Sequence, residues 1–204
     1  MMLGRFFLAL GAFLAATAAH AADLTVTVKD PNGRPVADAV VTVDAPGRAP
    51  APGRFTISQR DMKFVPEVLV VPVGSTIGFG NLDPFRHHVY SFSPAKRFEL
   101  KLFGEGQTRP VVFDRVGLVA IGCNIHDSMQ GFIHVVDTPF AAKTDASGRV
   151  VIRGLPGGSH PVHVWHSQLR APANQLTINV DAARTPALNV PVRLRLAAPM
   201  RHNY

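Results

Sequence analysis

Along the chain, apolar and polar residues follow the period of strands. Leu24–Val28 (LTVTV) alternates at period two, the mark of a half-buried strand. The turn DPNGRP follows, with Asn32-Gly33 at its tip, and AVVTVD (Ala39–Asp44) reads as the returning strand. A Pro/Gly linker, APGRAPAPGR (Ala45–Arg54), separates this pair from a series of strand-like stretches: EVLVVPVGSTIGFGN, HHVYSFS, RFELKLF, PVVFD, LVAIGC and GFIHVVD. After Asp137 the pattern changes: TDASGRVVIRGLPGGSHPVHVWH reads turn, strand, turn, strand, and NQLTINV and NVPVRLRL are two last strands. No stretch sustains the 3.6-residue apolar period of an amphipathic helix. The pattern predicts an all-β protein built of sandwiches rather than α/β layers.

The first 21 residues stand apart. MMLGRFFLALGAFLAATAAHA has a positive start at Arg5, an apolar run from Phe6 to Leu14 and small residues at Ala19 and Ala21. That is the layout of a cleaved secretory signal, and the run is too short to favour a membrane span. It predicts export to the periplasm, without stable membrane insertion after cleavage. The formal net charge is +7, and its basic residues are scattered. This suits an acidic protein partner better than nucleic acid. The chain has one cysteine, so no internal disulfide forms. In an oxidising compartment a lone thiol is either buried and inert or held by something.

The two ends read together. VTVKDPNGRPVADAVVTV resembles the first half of carboxypeptidase-regulatory-like (transthyretin-like) β-sandwich modules, with their G-x-P-V-x-x-A-x-V hairpin. KTDASGRVVIRGLPGGSHPVHVWH resembles the second half, T-D-x-x-G-x-x-x-I-x-x-L-P-x-G. Neither half has strands enough to close a sandwich alone. The expected organisation is a signal peptide (1–21), the first part of a small transthyretin-like or Ig-like sandwich with its linker (22–54), an inserted domain (55–137), the second part of the small sandwich (138–198) and a tail (199–204). The plainer alternative is two hairpins decorating a central domain.

The chemistry lies in the inserted segment, at IGCNIHDSMQG (Ile121–Gly131). A type-1 copper site needs a thiolate, two imidazoles and a weak axial thioether. Cys123, His126 and Met129 supply all but one imidazole from a single loop between two apolar strands. A lone cysteine is usually a small buried hydrophobe and a lone methionine core filler; their company here points to a metal. NLDPFRHHVYSFS offers the missing imidazole as His87 or His88, and alternation lets only one of them face inward.

Phe64-x-Pro66, LVVPVGSTIGFGN, HHV and the pattern G-x-x-x-x-x-C-x-x-H-x-x-M-x-G from Gly117 to Gly131 together resemble the cupredoxin family, in its amicyanin/plastocyanin-like form, over about residues 62–137. The resemblance implies a Greek-key β-sandwich with one copper ion cycling between Cu(I) and Cu(II), and outer-sphere electron transfer. The family pattern H-N-V makes His87 the ligand and puts His88 in the Asn place, where its backbone N–H would donate to the Cys123 sulfur. The implied metal set is His87, Cys123, His126 and Met129. The loop departs from the amicyanin-like pattern in carrying Asn124, Ile125, Asp127 and Ser128 where prolines are common; Asp127 reads as a turn former.

Other histidines have plainer readings. His134 should face outward between Ile133 and Val135. His160, His163 and His166 could gather a second metal, but alternation separates His163 and Trp165 from His166, which favours surface or inter-module contacts, with Trp165 packed between modules. The function expected is a non-enzymatic, periplasmic blue copper protein that passes single electrons between transient redox partners. The alternatives are a copper carrier delivering metal to another exported protein, or a binding module with a structural metal. An oxidase or nitrite reductase fits least, because nothing supplies a second copper centre.

Overall fold

The structure is a computed structural model that describes residues 21–195. The signal-peptide expectation (1–21) lies outside the described residues except for Ala21, and the tail at 199–204 lies wholly outside them. The first strands are β1 (Ala22–Lys29) and β2 (Val40–Val43). The central segment supplies β3 (Arg54–Arg60), β4 (Lys63–Val65), β5 (Val68–Pro72), β6 (Ser75–Asn81), β7 (His87–Ser93), β8 (Lys96–Phe103), β9 (Thr108–Phe113), β10 (Gly117–Gly122) and β11 (Gln130–Val136). The last part adds β12 (Ala141–Lys143), β13 (Arg149–Leu155), β14 (Ser159–Trp165), β15 (Gln175–Asp181) and β16 (Ala187–Pro191). Apart from one 3-10 turn at Pro172–Asn174, the described elements are strands, so the protein is all-β.

Four sheets form two sandwiches. The smaller joins the sheets β13-β1-β16 and β12-β2-β14-β15. Their shared core draws Leu24, Val26 and Val41 from the first part of the chain and Ile152, Val162, Val164 and Val190 from the last. The larger joins β5-β11-β10-β7-β8 and β4-β3-β6-β9 around Ile57, Phe64, Ile77, Phe79, Val89, Phe113, Val119 and Ile133.

Small polar residues lock the ends of the chain together. The Thr144 hydroxyl accepts the Ala39 N–H at 3.0 Å and donates to the Val36 carbonyl at 2.8 Å. Asp145 Oδ1 gathers the N–H groups of Ser147 and Arg149, shaping a turn that closes on Gly148. Gly148 has φ +72°, and a Cβ there would lie 2.5 Å from the Val28 carbonyl oxygen. Only glycine fits both the angle and the approach.

Two expectations need correction. The turn at Asp30–Arg34 forms, with Asp30 Oδ1 accepting N–H groups of Asn32 and Arg34, but β2 does not return beside β1. Only a bridge between Lys29 and Pro35 joins the arms, and β2 pairs with β12 and β14 in the opposite sheet. The chain crosses over at Asp38, which takes φ 58°. Likewise EVLVVPVGSTIGFGN is not one strand. Gly74, at φ +85°, breaks it into β5 and β6, which lie in different sheets. The strands β3 and β4 were not marked by the alternation, since RFTISQR carries few apolar residues.

Between the sandwiches, Trp165 and Val40 of the small one meet Val68 of the large one, with Val70 and Phe132 packed against them. His134 does point out of its own sheet, yet it meets the Trp165 ring at 4.4 Å rather than water. Burial pushes its imidazole down to about 4.

Candidate metal centre

Three elements converge at one end of the large sandwich. β7 opens with His87. β10 ends at Gly122 and delivers Cys123, and the following loop carries His126 before Met129 leads into β11. The loop is tied shut by its own backbone: the Met129 N–H donates to the His126 carbonyl at 2.9 Å, and the Cys123 N–H to the Met129 carbonyl at 3.3 Å. β10 crosses β7 at Gly122↔Tyr90, and a Cβ at Gly122 would come within 2.9 Å of the Tyr90 ring. The glycine lets β10 lie close to β7 just before the thiol.

His87, Cys123 and His126 each place one ligand atom so that all lie within 4.8 Å of one another. His87 is fully buried; Cys123 and Met129 share a core cluster at 3% and 2% exposure. His126 is half-buried and forms the outer side of the site. The Cys123 Sγ lies 3.8 Å from His87 Nδ1. The two imidazole rings stand 5.0 Å apart, with the Phe85 ring 5.0 Å from His87 and 5.6 Å from His126.

The donor set can be tested against a metal on its own terms. His126 Nδ1 is buried and has no hydrogen-bond partner. Such an atom costs free energy unless something coordinates it. Burial first, and then the neighbouring His87, hold the His126 imidazole below its ordinary value, against an opposing pull from Asp83. Both effects favour the neutral ring, the form that binds a metal. A soft thiol, two imidazoles and a buried thioether match the His2Cys(Met) set of a blue copper site. The cluster resembles such a site, and copper fits these residues.

His88 stands elsewhere. Its Nε2 meets Glu99 Oε1 at 3.0 Å on the outer side of the sheet. The expected donation from its backbone N–H to the Cys123 sulfur is absent from the hydrogen bonds of the described residues. β7 is irregular between His87 and Val89, and β10 pairs with β7 only at Tyr90, so no regular ladder runs past that amide. Asp127 is exposed on the loop. The other histidines do not assemble: His160 Nε2 meets the Pro156 carbonyl at 3.0 Å, His163 sits between Asp44 and Thr177 at 2.9 Å each, and His166 Nδ1 accepts the Gln168 N–H.

Sequence reasoning missed Asp83. Asp83 is buried, and its carboxylate meets His87 Nε2 at 2.7 Å. Burial pushes the carboxyl up, but the His87 hydrogen bond and the N–H groups of Met62 and Asp61 outweigh it and hold it below the ordinary carboxylate range. The only signal was an acid four residues before a histidine in DPFRH, which is too common to single out.

No family model matches the chain, and no curated protein matches it. Among solved structures, a purple cupredoxin from Nitrosopumilus maritimus overlaps 40% of this chain and 98% of its own, at 22% identity and a TM-score of 0.37. A reduced mutant of amicyanin overlaps 47% of this chain and 98% of its own, at 20% identity and a TM-score of 0.39. A copper-containing nitrite reductase from Thermus scotoductus SA-01 overlaps 56% of this chain at 28% identity and a TM-score of 0.40, and the chain spans 28% of that enzyme. These likenesses are partial, and the copper reading stands on the geometry of residues 87, 123 and 126, with Met129 in the same core cluster as Cys123.

Proposed function

We propose that this is an exported type-1 copper protein that carries single electrons between redox partners, built as a copper sandwich inserted into a second, smaller one. One observation carries this reading: a thiol and two imidazoles meet within 4.8 Å. Bound copper supplies a one-electron Cu(I)/Cu(II) couple. His87 Nδ1 and Cys123 Sγ, both buried, would hold it from the sandwich and His126 from the loop, with Met129 as the weaker thioether ligand. The surrounding strands keep these side chains in one arrangement, so little has to move when the electron does. No bond is made or broken in a partner.

The outer edge offers a place for brief contact. Leu82, Phe85 and Ile125 are 45%, 42% and 47% exposed, and the Phe85 ring lies tilted against His126. A small apolar patch beside the outermost ligand suits weak, fast encounters. The burial of His87, Cys123 and Met129 favours retention of the metal over handing it on.

The test is an absorption and electron paramagnetic resonance spectrum of the copper-loaded protein, repeated for Cys123→Ser. The expected result is an intense visible sulfur-to-copper band in the wild type that the variant loses. A colourless wild type that does not retain Cu(II) would contradict the reading.

A further inference from the structure

Asp83 is more than a buried acid near a ligand; its whole surroundings are built around it. Its Oδ2 meets His87 Nε2 at 2.7 Å and accepts the Met62 N–H at 3.1 Å, while Oδ1 accepts the Asp61 N–H at 2.7 Å. Asp61 and Met62 both have positive φ, 52° and 55°, so the turn between β3 and β4 presents two successive N–H groups to one carboxylate. The carboxylate is also anchored from behind. The Asp83 N–H donates to Asn81 Oδ1 at 2.9 Å, and Asn81 Nδ2 donates to the carbonyls of Phe85 and Phe103 at 2.7 and 3.0 Å. Four segments of the large sandwich thus fix the position of this one group.

An ionised carboxylate only accepts hydrogen bonds. The nitrogen that meets it must carry the proton, and in a neutral imidazole the other nitrogen then offers its lone pair. That other nitrogen is Nδ1, which faces the Cys123 sulfur at 3.8 Å. We propose that Asp83 is a positioning residue for the metal centre: it fixes His87 as the Nε2–H tautomer, aims Nδ1 at the metal, and lowers the reduction potential by placing a buried negative charge behind the ligand. This rests on the copper reading above for the metal, but the tautomer belongs to the chain itself. A carboxylate behind a metal-bound imidazole orients the ring and raises its basicity. Negative charge there stabilises the more positive oxidation state of whatever His87 holds.

Two measurements test this. In metal-free, histidine-labelled wild-type protein near pH 7.5, nitrogen-15 NMR reads the His87 tautomer directly. The expected state is Nε2–H; an Nδ1–H tautomer overturns the proposal without any variant. Then Asp83→Asn is compared with wild type by Cu(I) competition against bathocuproine disulfonate and by redox titration, with circular dichroism to follow the fold. The expected result is a 10–100-fold loss of Cu(I) affinity and a higher potential in a folded protein. A folded variant with unchanged affinity and potential shows that Asp83 serves only the β3–β4 turn, and overturns it. If Asp83→Asn does not fold, the wild-type tautomer decides. Failure of wild type to bind copper would sink the electron-carrier reading, and the tautomer measurement would remain informative by itself.

Discussion

Adjacent histidines with opposite fates show how finely the site is specified. His87 and His88 differ by one position on β7, and alternation sends one ring to the thiol and the other to Glu99. The expected outcome is that His87→Ala abolishes the visible band of the copper-loaded protein while His88→Ala keeps it, with a Cu(II) titration followed by absorption as the check. Loss of the band in a folded His88→Ala would mean that the ligand set is misassigned. The thiol, imidazole and thioether at three-residue steps were legible because a soft ligand set on one loop is rare by chance. The choice between His87 and His88 was not legible from the residues, since either keeps a credible inner face; only a family pattern chose. Asp83 was invisible because its significance depends on a turn at Asp61–Met62 that no alternation announces.

Strands and turns divide along the same line. The turn that closes on Gly148 was readable from T-D-x-x-G, and each of those residues contributes separately. Thr144 ties Ala39 and Val36, Asp145 caps the turn, and Gly148 accepts the close approach of Val28. Gly148→Ala is expected to destabilise the protein by roughly 2–4 kcal/mol, because a Cβ meets backbone atoms and φ is left-handed. Urea unfolding measures this, and the copper spectrum below the transition should be unchanged, since the turn belongs to the small sandwich. A loss under half a kcal/mol, of order the effect of a neutral surface change, would contradict the packing described. What alternation could not supply was pairing. β1 and β2 read as a hairpin, yet the chain crosses sheets at Asp38, and β3 and β6 pair in parallel although two strands lie between them in the chain. Period two fixes which face is buried, not which neighbour lies alongside.

For the whole molecule, the junction of the sandwiches is the sensitive place. His134 and Trp165 meet there, and both His134 Nε2 and Trp165 Nε1 are buried without a partner. The imidazole titrates near 4 in the fold, below its ordinary 6.5, because burial disfavours the cation. The unfolded chain therefore binds the extra proton first. Stability is fully present above about pH 6.5, falls as pH drops towards 4, and levels off below, by about 3 kcal/mol in total. His166, also held low by burial, adds in the same direction. Urea midpoints at pH 7.5 and pH 5, read by circular dichroism and by fluorescence of the one tryptophan, should fall with acid in wild type and fall less in His134→Phe. Equal acid sensitivity in the two would show that His134 is not the group responsible. That the two ends would share strands was an expectation drawn from the resemblance of their turn motifs, and in the structure the two ends share one core. The junction was legible only on its Trp165 side, where the ring packs against Val68 and Phe132 as expected; its other side was not, because His134 reads as an outward residue until another module is packed over it.

The metal centre itself is tested most directly by X-ray absorption at the copper edge, on protein loaded with one equivalent and taken in both oxidation states. The expected shell is two imidazole nitrogens and one short sulfur in each state, with the sulfur missing in Cys123→Ser. A shell of oxygen and nitrogen alone, or one unchanged by that substitution, would contradict the site built here from His87, Cys123, His126 and Met129.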